Sequence, residues 1–152
     1  MASWSEVETD APELVALARS LLDANKHKVL ATLRRDGSPR VSGTEIEIAD
    51  GELWLGSMPG ALKARDLQRD PRFALHGAPL DPDAGWTGDA KLAGLAEEIT
   101  DPELRRQRLG SMGESHLFRA DIRELSVVRV EGDLLKIEAW HAGRGVSRRE
   151  RR

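Results

Sequence analysis

Lys28-Val-Leu-Ala-Thr-Leu33, Arg35-Asp36-Gly37-Ser38-Pro39, Arg40-Val-Ser-Gly-Thr-Glu-Ile-Glu-Ile48 and Asp50-Gly-Glu-Leu-Trp-Leu-Gly-Ser57 form the stretch on which the fold turns. Residues 28–33 read as a strand, 35–39 as a turn and 40–48 as the returning strand. The run Glu45, Ile46, Glu47, Ile48 has the period of two that marks a strand buried on one face. Asp50-Gly51 is a favoured hairpin turn, and Glu52–Ser57 is the third strand. Connections this short demand antiparallel pairing, since a parallel pair needs a crossover of about a dozen residues.

Upstream, Leu14, Leu17, Ala18, Leu21 and Leu22 fall on one stripe of an amphipathic helix over Pro12–Ala24. Asp10 is its expected cap. Downstream, a short helix over Ala61–Arg69 stops at Asp70-Pro71, and strands follow over Arg72–His76 and Asp89–Ile99. Gly94 marks a bulge or a close backbone approach in the second of these. Thr100-Asp101-Pro102-Glu103 starts a basic helix reaching Leu109. A last hairpin joins Phe118–Val130 to Leu134–Trp140, and an Arg/Gly-rich tail closes the chain from His141 to Arg152. The reading is one α+β, mainly β domain over residues 1–152, with a helical segment at 1–26. Short strands in local hairpins favour a barrel over an open sheet.

Composition narrows the function. The net charge of −3 argues against a general nucleic-acid partner. The absence of Cys removes disulfides, thiolate metal sites and thiol nucleophiles, and suits a cytoplasmic location. Met1–Glu6 is acidic with no apolar run behind it, so no signal peptide is expected. No stretch approaches the roughly 18 apolar residues of a membrane span. His27, His76, His116 and His141 are scattered without metal-ligand spacing, so no metal site is expected. Arg105, Arg106 and Arg108, and the arginines of the tail, read as two basic surface patches.

Gly56-Ser57-Met58-Pro59-Gly60-Ala61-Leu62-Lys63-Ala64-Arg65 carries the chemistry. A strand end, a glycine turn, a helix N-terminus, a hydroxyl and two cations are what a phosphate monoester asks for. The same residues also suit a solvated helix behind an ordinary loop. No Walker Gly-Lys-Ser/Thr is present.

The segments 28–33, 36–42 and 53–57, with Lys63-x-Arg65-x-Leu67-x-x-Asp70-Pro71-Arg72, resemble the pyridoxamine 5′-phosphate oxidase-like split barrels, which include flavin- and deazaflavin-dependent oxidoreductases. The resemblance implies a homodimeric six-stranded split barrel with cofactor sites at the subunit interface. It implies that Ser57, Lys63 and Arg65 hold the cofactor phosphate, and that Arg40, Val41 and Ser42 run along the isoalloxazine. Trp86 and Trp140 are each either a wall of the partner's site or core. Many relatives carry a basic residue at the position of Ala61, and Arg144 is the candidate to replace that cation. The expected cofactor is FMN or the deazaflavin F-420, with a small organic molecule as the redox substrate. The alternatives are a non-enzymatic flavin or haem binder and a cofactor-free dimeric interaction module. No catalytic residue is assigned, because the cofactor itself performs hydride transfer.

Overall fold

The computed structural model describes residues 1–152. In chain order come α1 (Trp4–Asp10), α2 (Pro12–Asp23), β1 (Lys28–Leu33), β2 (Pro39–Thr44), β3 (Ile46–Ala49) and β4 (Glu52–Ser57). Then follow α3 (Leu62–Arg69), β5 (Arg72–Gly77), β6 (Asp89–Glu98), α4 (Pro102–Leu109), β7 (His116–Glu131), β8 (Leu134–His141) and β9 (Gly145–Arg151). The strands make one antiparallel sheet ordered β2-β1-β5-β6-β7-β4-β3, with β8 on β7 and β9 on β8.

The two ends of that order, β2 and β3, are separated in the chain by Glu45 alone. One bent segment therefore pairs with β1 through Pro39–Thr44 and with β4 through Ile46–Ala49. The sheet curls so that its two end strands are consecutive in the chain, while the β2 edge away from β1 stays unpaired. The single returning strand expected over Arg40–Ile48 is thus two strands meeting at a bend. Nine strands stand where the resemblance implied six. The bend contributes one of the extra three, and the β8–β9 ribbon contributes the others.

The 16-residue β7 organises the rest. One edge pairs with β6 from Phe118 to Val128. The other takes β4 at His116–Arg119 and β8 at Glu124–Glu131. The register shifts between Ala93 and Gly94, where a Cβ on Gly94 would sit 2.0 Å from the Asp121 carbonyl oxygen. Gly94 therefore marks both a bulge and a close backbone approach.

Two terminal expectations change. Asp10 does not cap α2, whose N-cap is Ala11 without a side-chain bond. Asp10 instead closes α1, a helix opened by a capping box between Ser3 and Glu6. The Arg/Gly-rich tail contains a strand the sequence reading did not assign: Gly145–Arg151 is β9, although nearly all of it is exposed. Trp4 and Val7 of α1 and Leu14, Val15, Ala18 and Leu22 of α2 join Leu30, Leu53, Leu75, Phe118 and Ile122 in the main core. Each large side chain buried there contributes about 1.5–3 kcal/mol. A smaller cluster of Trp54, Ile99, Leu109 and Leu117 seats α4. No helix is long and apolar enough to cross a membrane.

Candidate functional site

Ser57 ends β4, and the chain turns through Met58, Pro59 and Gly60 into α3. Gly60 has φ +74°, a left-handed conformation that suits glycine. The Gly60 amide donates to His116 Nε2 at 3.1 Å. His116 Nδ1 lies 3.2 Å from Glu98 Oε1, and Gln68 Nε2 donates to the same carboxylate at 2.9 Å. The turn is therefore tied to β7 and, through β7, to β6.

This turn borders a cleft of about 380 Å³ between the β2–β3 bend, the end of β4 and α4. Ser57 and Lys63 both line it. The Ser57 hydroxyl is buried without a hydrogen-bond partner. An unpaired buried polar group costs about 1–3 kcal/mol, so this atom is primed for a ligand oxygen. Lys63 Nζ donates to the Gly43 carbonyl at 2.9 Å, which leaves further ammonium donors for a ligand. Burial pushes the Lys63 amine below the usual lysine range.

Arg108 of α4 reaches the same cleft, although the sequence placed it in a surface patch. Its guanidinium lies 4.9 Å from the centre of the Trp54 ring and pairs with Asp50 and, at 3.5 Å, with Glu47. Those two acids are largely exposed, and the Arg108 Nε is buried without a hydrogen-bond partner, so Arg108 stands beside Lys63 as a second cation of the cleft.

Lys63 and Arg65, the two cations expected to share one phosphate, leave α3 in different directions, although the Arg65 guanidinium reaches back to 3.9 Å from the position of a Cβ on Gly60, in the turn that borders the Ser57 cleft. Residues two apart on a helix point about 200° apart. Lys63 faces the Ser57 cleft, while Arg65 lines a neighbouring one with Arg34, Arg35, Arg40 and Arg69. Between them Asp66 is buried and accepts from Thr32 Oγ1 (2.8 Å), Arg40 Nε (2.7 Å) and Arg69 (3.0 Å). Burial alone would push its carboxyl up, but those bonds outweigh it and hold Asp66 below the usual carboxylate range.

β2 stands at an end of the pairing order, so its backbone edge away from β1 is open along Arg40–Ser42. Val41 is 70% exposed there, and Met58, Leu62 and Met112 around the clefts are likewise exposed. The remaining expected residues lie elsewhere in the protomer. Trp86 is half-buried and donates to Asp89 Oδ1 at 2.8 Å. Trp140 is 3% exposed, within the core, its indole N–H 3.4 Å from Asp10. Arg144 is exposed in the turn between β8 and β9. The structure thus brings together Ser57, Lys63 and the end of β2, and adds Arg108 and His116. Sequence spacing held no sign of His116, because only the β4–β7 register sets it opposite Ser57.

A curled antiparallel sheet with helices packed on it defines a mainly β, α+β barrel. The chain belongs to the pyridoxamine 5′-phosphate oxidase family, whose sequence profile matches residues 14–140. No functionally curated protein matches it. Among solved structures, a protein of unknown function from Agrobacterium tumefaciens is 23% identical, with a TM-score of 0.60. That match covers 83% of this chain but only 59% of the Agrobacterium protein. PhzG of Burkholderia lata, solved with tetrahydrophenazine-1-carboxylic acid, is 14% identical with a TM-score of 0.69, covering 95% of this chain and 96% of PhzG. A heme binding protein of Mycobacterium smegmatis is 15% identical with a TM-score of 0.59, covering 88% and 85% of the two chains. At these identities the likeness is one of fold.

Proposed function

We propose that this protein is a flavin-type oxidoreductase that holds FMN, or the deazaflavin F-420, at the interface of a homodimer and reduces or oxidises a small organic substrate. The observation that carries the reading is the buried, unpartnered Ser57 hydroxyl in the same cleft as Lys63. A terminal phosphate fits that pair: the hydroxyl donates to one oxygen, and the ammonium supplies charge-assisted bonds to others. The open edge of β2 at Arg40–Ser42 offers backbone donors and acceptors to a planar ring.

The exposed Val41, Met58, Leu62 and Met112 would be covered by a second copy, and the ring would lie beneath that cover. Trp86 and Arg144, remote from the cleft in one protomer, would be supplied to it by the partner. Hydride chemistry belongs to the cofactor, so the chain's own work is binding, orientation and exclusion of water. The haem alternative would need an axial ligand from His76, His116 or His141, and of these His116, which stands opposite Ser57, has both ring nitrogens engaged within the protein.

Titrating the purified protein with FMN and separately with F-420, followed by fluorescence, tests the proposal alongside light scattering for the oligomeric state. The expected result is saturable binding of one cofactor to a dimer, weakened by Ser57→Ala and by Lys63→Gln. A folded dimer that binds neither would leave the cofactor-free interaction module as the reading.

A further inference from the structure

We infer that His116 is a positioning residue of the Ser57–Lys63 cleft that works only as the neutral imidazole, so that acidification unfastens the Gly60 turn and loosens the phosphate held beside it. The mechanism stands on the turn itself, and its consequence for a ligand rests on the phosphate reading of the cleft.

His116 opens β7 and stands opposite Ser57, the last residue of β4. Its side chain is 19% exposed, and its ring lies stacked 6.4 Å from that of the buried Phe118. The Gly60 amide donates to Nε2 at 3.1 Å. An amide can only donate, so Nε2 carries no hydrogen and the single ring proton sits on Nδ1, 3.2 Å from Glu98 Oε1. Both ring nitrogens are thereby used. No other hydrogen bond from outside the turn reaches Met58, Pro59 or Gly60.

A second proton on the ring goes to Nε2, where the Gly60 hydrogen already points. The acceptor is then gone and two hydrogens face each other, so the amide must turn to water. Imidazole takes up that proton between roughly pH 5 and 8. Glu98 of β6, bonded to Nδ1, favours it, while Glu114 just ahead of β7 is exposed and unpaired. Three cations oppose it. Arg65 of α3 lies 3.9 Å from the position of a Cβ on Gly60, Lys63 lines the adjoining cleft, and Arg105 of α4 donates to the Ser115 carbonyl at 2.8 Å. Glu97 and Arg119 pair with each other on the opposite face of their strands.

Ser57 and Lys63 bracket this turn, one just before it and one in the first turn of α3. The β4–β7 pairing at Ser57 does not depend on the imidazole, so the strand end stays in place when the bond is lost. What changes is the spacing between the Ser57 hydroxyl and the Lys63 ammonium, the two groups a phosphate would bridge.

Nuclear magnetic resonance of the nitrogen-labelled full chain without cofactor, taken from pH 8 to pH 5, tests the device directly. The expected result is a coupling between the Gly60 and His116 Nε2 nitrogens, carried through their hydrogen bond at pH 8 and lost as the ring titrates. FMN titration over the same range tests the consequence. Affinity should fall about fivefold further in the parent than in His116→Gln, whose side-chain carbonyl accepts the amide at every pH. The FMN phosphate also takes up a proton in this range, and that loss is common to both proteins. A coupling that survives titration of the ring, or FMN profiles that run parallel in the two proteins, overturns the inference. A chain that loses the coupling on acidification yet binds no FMN at any pH upholds the device and removes the flavin reading alone.

Discussion

His116 accepts the Gly60 amide on Nε2 at 3.1 Å, and that bond fixes the turn between β4 and α3 to the start of β7. An amide can only donate, so Nε2 is the acceptor and Nδ1 carries the hydrogen toward Glu98. Gln68 of α3 grips the same carboxylate, closing a loop of bonds around the turn that leads to Lys63. His116→Leu is therefore expected to release the turn while keeping an apolar side chain beside Phe118. The stability cost is about 1 kcal/mol, the net worth of an ordinary hydrogen bond. The informative readout is local: hydrogen exchange at the Gly60 amide should quicken and cofactor affinity should fall. Unchanged exchange would show that the turn holds its shape without the histidine.

Lys63 should make anion affinity depend on alkaline pH. Burial disfavours its charged form, so the amine loses its proton below the ordinary lysine value of about 10.4. At neutral pH the ammonium is present and binds phosphate fully. As pH rises into the lowered range the free protein loses that charge, so affinity declines and binding takes up a proton. The ligand phosphate is already fully ionised there, its second pKa being about 6. Lys63→Arg keeps its charge throughout and should flatten the profile measured by FMN titration between neutral and alkaline pH. A decline of equal size in that variant would move the titrating group elsewhere.

The bounds of β1 and β4 were legible because period-two patterning and the Asp50-Gly51 turn are local signals. The break at Glu45 was not. Arg40, Ser42, Thr44, Ile46 and Ile48 keep one parity through it, so alternation runs on while the pairing partner changes from β1 to β4. Ser3 and Glu6 did carry the spacing of a capping box, but with only Trp4 and Val7 buried behind them α1 offers little apolar pattern. β9 offers almost none, since its side chains hardly touch the core. Ser57 and Lys63 are close in sequence and could be read as a pair. That Lys63 and Arg65 leave α3 in different directions follows from helical geometry and was within reach. Arg108 and His116 arrive through long-range packing that no linear spacing encodes.

Asp66 should be worth more to the fold than its small size suggests. It is 4% exposed at the side chain and anchors Arg40 and Arg69, which are 21% and 32% exposed. Asp66→Asn removes the charge but keeps the shape, at an expected cost of about 2 kcal/mol, because both arginines retain access to water. That is a fall of roughly 4–8 °C in Tm. The sign of the pH dependence follows from the lowered carboxyl: its stabilisation is complete above the unfolded value of about 3.9 and is lost as pH falls through the folded value. The gap between the two proteins should therefore narrow on acidification. A gap of constant width down to pH 3 would mean that the shape of Asp66, and not its charge, supports the fold.

Gly94 marks the one place where β6 and β7 come too close for any side chain. A Cβ there would lie 2.0 Å from the Asp121 carbonyl oxygen, 3.0 Å from its carbon and 3.2 Å from the Arg123 nitrogen. All three are backbone atoms of β7, so no rotamer change relieves the clash and the two strands must part. Asp121 also holds the Ala2 amide at 2.7 Å, so parting them disturbs the seat of the N-terminal segment as well. Gly94→Ala is expected to cost about 3 kcal/mol, which lowers Tm by roughly 6–12 °C. Gly43→Ala is the matched control, since nothing lies within 4 Å of its Cβ and its φ is not positive. That change should leave Tm within about 2 °C of the parent, consistent with a surface substitution. Equal melting of the two variants would show that the bulge at Ala93–Gly94 yields easily, and that the close approach of β6 to β7 does not constrain this residue.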